Sequence, residues 1–182
     1  VGTVQSPIHD GAAILAVMLG TPAGLVAARL RRVPAAAVFL LFLAPLALPP
    51  AIHAYIWRSL ALEAGLLGML FVEGGGRFVN FSGAVLSLTG AYWSLPALAA
   101  FAVARGSGRR FELEARVFAP AEVAARRIVL PMMKPAALAA GGLVFILAFN
   151  DYGAAATWQV RTFPEHVISL YGSLCDLSGA SA

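Results

Sequence analysis

Charge is what this 182-residue sequence has least of: Asp, Glu, Lys and Arg together make up 12% of it, while 60% is hydrophobic. Soluble domains carry about a quarter charged residues. A soluble fold of this length cannot hide so much apolar side chain from water, whereas a bilayer can. Cysteine is nearly absent too. Cys175 stands alone, which excludes an internal disulfide and any Cys-based metal cluster. The three histidines, His9, His53 and His166, have no ligand spacing. The glycine-rich runs at Gly74–Gly76 and Gly106–Gly108 lack the lysine of a nucleotide phosphate loop. Basic and aromatic residues do not interleave as in nucleic-acid binders. No paired His/Asp/Glu or Ser/His arrangement falls within the apolar runs, which argues against an intramembrane enzyme. The Glu112/Glu114 pair has no enclosing residues and reads as a solvated or partner-docking face rather than an acid–base pair.

The apolar residues come in blocks. Gly11–Ala28, Phe78–Ala104 and Pro135–Asn150 carry no charge, and Val33–Trp57 carries only the titratable His53. A membrane-crossing helix needs about 20 apolar residues. The blocks therefore predict spans over about 11–30, 34–60, 83–104 and 132–149 of a single all-α domain, 1–182, joined by a long polar connection over 105–131. Pro49-Pro50 is expected to break the second span, because each proline removes a backbone donor, and Pro96 to kink the third. His53 then sits at the outer interface, and His9 and His166, in polar contexts, are expected to be solvated. Tyr92-Trp93 reads as packing. Gly141-Gly142 with Ala136–Ala140 reads as a small-residue packing face. The first apolar run follows no basic segment, so no cleavable signal is expected. The Val1 start and the Ser-Gly-Ala-Ser-Ala ending are read as a piece cut at both ends.

Orientation follows from lysine and arginine. If the spans alternate, Arg29–Arg32 and Arg105–Lys134 share a side, holding ten of the thirteen basic residues against three acids. The opposite side holds three basic residues against six acids. This places 105–131 on the cytoplasmic side of a multi-pass membrane protein.

The connection Phe111–Pro135 reads FELEARVFAPAEVAARRIVLPMMKP. Glu112/Arg116 and Glu122/Arg126 are acid-first pairs four apart, Pro120 suits the first turn of a second helix, Val117 and Phe118 are expected near Val123, and Pro131 is expected to end that helix. A rigid amphipathic element of this kind suits docking into a groove on a soluble partner. The stretch resembles the cytoplasmic EAA loop of ABC-transporter permeases of the binding-protein-dependent, type I importer class. Setting Leu130-Pro131 on the loop's terminal Leu-Pro puts Ile128 on its branched position and Glu112 on its leading glutamate. Leu113 and Glu114 stand where two alanines are usual, and Phe118 where glycine is usual.

A second stretch, residues 149–172, resembles the segment after that loop in ferric-iron, thiamine, polyamine and phosphonate permeases, closest to the iron type. It carries Asp151, Tyr152 and Gly153, then Val160, Arg161 and Thr162. The resemblance implies an all-α polytopic helical bundle, incomplete at both ends, in the inner (plasma) membrane of a prokaryote, acting as the pathway-forming subunit of an ATP-driven importer, with ferric iron or a related small solute as the cargo of the iron-type reading. It implies an ATPase-coupling loop containing Glu112, Glu114, Ala115, Phe118, Ala119, Ile128, Leu130 and Pro131. Asp151, Tyr152 and Arg161 become pathway or binding-protein contacts, with helix termination as the other reading of Asp151. No cofactor or metal is implied in this chain; ATP and Mg belong to a partner ATPase. The further implied partners are an extracytoplasmic solute-binding protein, a second permease half, fused or separate, and membrane lipid. An ion-gradient-driven secondary transporter, suggested by the broken helices, is the alternative class.

Overall fold

The computed structural model describes residues 6–30, 34–63, 76–115, 117, 120–160 and 162. These residues form an all-α fold, with α1 Ser6–Arg29, α2 Ala35–Leu46, α3 Pro50–Glu63, α4 Gly76–Tyr92, α5 Ser94–Arg105, α6 Ser107–Ala115, α7 Ala121–Ala124, a π-helical turn Ala125–Val129, α8 Leu130–Phe149 and α9 Gly153–Thr157. Three continuous stretches among them are long and apolar enough to cross a membrane: Pro7–Arg29, Asn80–Arg105 and Glu122–Phe149. Ala35–Leu46 and Pro50–Leu60 qualify only as a pair bent at their break. The break is where two prolines in a row withhold their N–H groups. The chain divides into two compact units, Val1–Ala12 with Leu48–Ala91 and Phe145–Ala182, and Ala13–Ala47 with Tyr92–Val144.

In the first unit, α9 lies against α3, close enough that a Cβ on Gly153 would come within 2.7 Å of Ala51. Trp158 anchors the unit. It is 4% exposed, and its Nε1–H donates to Ser87 Oγ at 2.9 Å. The Ser87 hydroxyl in turn donates to the Gly83 carbonyl at 2.8 Å, so the buried indole donor and the serine are both satisfied. Only glycine fits at 83, because a Cβ would stand 2.5 Å from the indole ring. The Arg58 guanidinium donates to the Thr157 carbonyl at the end of α9, where helices leave carbonyls unpaired. Beyond it Gln159 adopts φ 54°. Val160 N–H reaches the Ala155 carbonyl at 3.0 Å and Gln159 N–H the Ala156 carbonyl at 3.1 Å, which makes a Schellman cap with glutamine at the left-handed position.

His9 departs from the sequence expectation. It is 2% exposed rather than solvated, with Phe149 edge-on at 5.4 Å and Phe145 at 6.2 Å between ring centroids. Helix α1 starts five residues earlier than the charge-free block suggests, which carries His9 into the interior on a helical turn. Neither ring nitrogen has a hydrogen-bond partner among the described residues.

In the second unit, α1 and α5 meet through glycine. A Cβ at Gly20 would lie 2.1 Å from the Trp93 carbonyl oxygen, and one at Gly24 would lie 2.1 Å from that of Ala97. The four-residue spacing puts both glycines on one face, the small-xxx-small arrangement that lets membrane helices touch backbone to backbone. The helix is interrupted at Trp93, one turn ahead of Pro96, which withholds the N–H that would bond to Tyr92; Asn80–Arg105 nonetheless runs as one stretch. Trp93 packs edge-on against Phe42, 5.7 Å between centroids, within a cluster of Ala27, Val38, Phe42, Ala97 and Phe101. A second cluster joins Ala100, Val129 and Met133. At the charged end Arg105 donates to the Leu30 carbonyl at 3.0 Å and covers the Phe101 ring at 5.2 Å. Of the glycine pair in α8, only Gly141 meets a neighbour, Val17 at 2.9 Å, while Gly142 has open space.

Gly20→Val and Gly24→Val should each abolish recovery of folded protein from mild detergent, since the displaced atoms are backbone. Gly142→Ala should leave the yield and the melting temperature unchanged. Size-exclusion profiles and thermal melts of the three variants check this.

Candidate functional site

Helix α6 carries the first half of the 105–131 segment. Gly106 ends α5 at φ −85°, ψ −116°, and α6 follows one residue later. Gly108 is held so close to the Val103 carbonyl that a Cβ would come within 2.9 Å, so the turn into α6 needs a residue without a side chain. Along α6 and past its end, Phe111, Leu113 and Val117 are 46%, 51% and 76% exposed. Val117 therefore does not pack on Val123, itself 38% exposed. Apolar side chains on a short surface helix beside charged ones are the makings of a protein-docking face. An open depression of about 580 Å³ lies there, lined by Gly106, Arg110, Phe111 and Glu114.

Glu114 pairs with Arg110, Nε to Oε1 3.5 Å, both side chains well exposed, so the pair adds little to stability. Ala115 ends α6 and is half-buried. The Glu112 backbone lies on α6, while its side chain, together with Arg116, Phe118 and Ala119, lies outside the described residues.

Pro120 directly precedes α7, and its carbonyl accepts from Ala124 N–H at 3.0 Å. The expected Glu122–Arg126 ion pair is not formed. The chain from Ala125 to Val129 is π-helical, and the wider turn takes residues four apart out of line. Pro131 does not end the helix either. It sits in the first turn of α8, and Glu122–Phe149 runs as one 28-residue stretch. A proline in a helix removes one donor and crowds the preceding turn, and a π turn just before it is the irregularity that absorbs this. Ile128 is half-buried in that turn, while Leu130 and Pro131 are exposed.

The second predicted group lies past the end of α8. Asn150 donates to the Ile146 carbonyl at 2.8 Å. Asp151 Oδ1 accepts from Ala154 N–H at 2.7 Å, capping α9 as acids do at helix starts. Asp151 thus begins a helix as well as following one, a role that neither sequence reading named. Burial pushes its carboxyl above the ordinary value of 3.8, and the Ala154 N–H opposes that shift. Tyr152 is 40% exposed. Arg161 lies outside the described residues, and no Asp151–Arg161 pairing is described. His53 is half-buried on α3. Sequence reasoning missed the Asp151 cap, although Asp three residues before Ala154 carries the signal. It also missed buried Ser94, an isolated hydroxyl in an apolar run; Thr162, read only as part of the Val-Arg-Thr pattern, is buried as well, and neither hydroxyl has a partner among the described residues.

No family model matches the sequence. The chain is 31% identical, over 168 residues, to the molybdenum transport system permease protein ModB of Mycobacterium bovis, and equally to that of Mycobacterium tuberculosis. The matched region covers 85% of this chain and 61% of each relative, so the chain spans about three fifths of their length. These relatives are named for molybdenum, and the iron-type likeness read in residues 149–172 gains no support from them.

Asp151→Ala should cost about 1 kcal/mol of stability through loss of the cap, and Asp151→Asn, which keeps an acceptor, much less. A carboxyl whose value is raised on folding holds its proton more tightly in the folded state. Its favourable contribution is therefore complete below 3.8 and is lost as pH rises through the raised value. Melts in detergent across that window should show the slope in the native chain and not in Asp151→Asn. Over most of its length, then, the chain is similar to part of the permease proteins of molybdenum transport systems.

Proposed function

We propose that this chain is the membrane-spanning permease part of an ATP-driven importer, lining a solute path and coupling it to a separate ATPase through residues 105–131. The similarity to molybdenum permeases over most of the chain carries this reading. The exposed apolar side chains of α6 and its end support the coupling role, because Phe111, Leu113 and Val117 are open for a partner to cover. The basic bias of 105–131 supports a cytoplasmic position, where an ATPase would meet it. ATP and Mg are then bound by that partner. An extracytoplasmic binding protein delivers cargo, and a second permease half completes the path.

The cargo we propose is molybdenum rather than iron. In aerated water molybdenum is a tetrahedral oxyanion, a species recognised by N–H and O–H donors rather than by carboxylates. Among the described residues no three His, Cys, Asp or Glu side chains converge, and the similar permeases are named for molybdenum.

The test is uptake of radiolabelled molybdate into proteoliposomes holding the complete protein with its ATPase and binding protein. Uptake should require ATP and be insensitive to ferric iron. Leu113→Asp or Val117→Asp should lower it by about five- to tenfold, the effect of losing an interface anchor, with the amount of permease unchanged. Uptake that proceeds without ATP and collapses with the ion gradient would contradict the importer reading. Normal uptake by both variants would contradict the coupling role alone.

A further inference from the structure

Over residues 122–144, in the second unit, an exposed row winds around the helix, advancing about 40° at each four-residue step. Exposed residues recur in pairs every four positions: 126 and 127, 130 and 131, 134 and 135, 138 and 139, 142 and 143. The opposite face is closed by Ala124, Val129, Met133, Ala140 and Val144, all under 9% exposed. The exposed stripe is divided by chemistry along its length. Arg126, Arg127 and Lys134 occupy its first turns. Below them comes Leu138, 76% exposed and one turn on from Lys134, with no further charge. Leu130, 51% exposed, stands between the cations.

None of the three cations is paired among the described residues. The one acid within residues 122–149 is Glu122, one turn further out, and the π-helical turn draws it out of line with Arg126. Lys134 is the telling residue. It lies two turns inside Arg126, roughly 12 Å further along the axis at 1.5 Å per residue, where the helix is already apolar. A lysine at that depth extends its ammonium back toward the interface along its own stem. That brings its charge up toward the arginines and leaves a single cationic cluster with an apolar track leading from it.

We propose that this face holds an anionic phospholipid, its phosphate among Arg126, Arg127 and Lys134 and the start of an acyl chain against Leu138. Charge complementarity selects the headgroup, and the apolar continuation selects a lipid over a free phosphate ion. A second copy of the same face would set cations against cations and is disfavoured. The proposal requires that the stretch lie in a membrane and that, within 105–131, the ATPase be met by α6 rather than by Arg126 and Arg127; it does not rest on the cargo.

The experiment uses the complete protein in nanodiscs of phosphatidylcholine with 30 mol% phosphatidylglycerol (roughly the level at which a basic cluster outcompetes bulk lipid). Phosphatidylglycerol retained after transfer to phosphatidylcholine detergent micelles is counted by native mass spectrometry. Arg126→Gln, Arg127→Gln and Lys134→Gln should each lower retention about fivefold, and the triple variant should hold phosphatidylglycerol no better than phosphatidylcholine. Arg127→Lys should retain it. If the triple variant fails to fold, the native protein decides: retention must fall as salt rises from about 0.05 to 0.5 M and must resist millimolar inorganic phosphate. Unchanged retention in the charge variants, or displacement by inorganic phosphate alone, overturns the proposal. So does unchanged lipid with loss of a co-purifying ATPase, which would make the face a protein-docking surface.

Discussion

Backbone contact between α1 and α5 is the constraint on which the second unit depends. At Gly20 and Gly24 the carbonyls of Trp93 and Ala97 occupy the space a side chain would need. In hydrocarbon there is no hydrophobic gain from bringing two apolar helices together, so close packing and weak Cα–H···O contacts must supply it. Given that contact, the rest follows. Trp93 is fixed where its ring meets Phe42, Phe101 and Ala97 join the cluster under α2, and Arg105 ends α5 where it can reach the last carbonyl after α1. Gly106 and Gly108 then turn the chain into α6, the helix whose outer face carries the proposed coupling contacts.

The first unit solves a different problem. Its α9 is only five residues long, too short to persist by itself, and it is held by what surrounds it. Asp151 caps its start, Gln159 closes its end in a left-handed turn, Arg58 bonds the Thr157 carbonyl, and Trp158 reaches into α4 at Ser87. The polar atoms of this irregular segment are therefore satisfied locally, as apolar surroundings demand.

Much of this was legible in the sequence for one physical reason: a bilayer enforces blocks. Charge-free runs of the right length gave the all-α membrane class, and Pro49-Pro50 gave the break between α2 and α3. Features set by tertiary contact were not legible. His9 looked solvated because Asp10 follows it, yet one extra helical turn buries it against Phe145 and Phe149. The proline rule placed a helix end at Pro131, but the π turn before it lets the helix continue. The same turn undoes the Glu122–Arg126 pair that four-residue spacing suggests. Gly20 and Gly24 were visible as letters, but only the structure says which helix they face. Of the candidate site, the exposed Glu114, Leu130 and Pro131 are placed, whereas Phe118, Ala119 and Arg161 lie outside the described residues.

The central claim is that α6 meets a nucleotide-hydrolysing partner. The most direct measurement is thiol cross-linking of the complete complex carrying Leu113→Cys, with the native Cys175 replaced by alanine. The account predicts a single adduct between this chain and a soluble subunit bearing a phosphate-binding loop, its yield changing when ATP is added. An adduct that forms only between copies of this chain, or none with such a subunit in any nucleotide state, would contradict it.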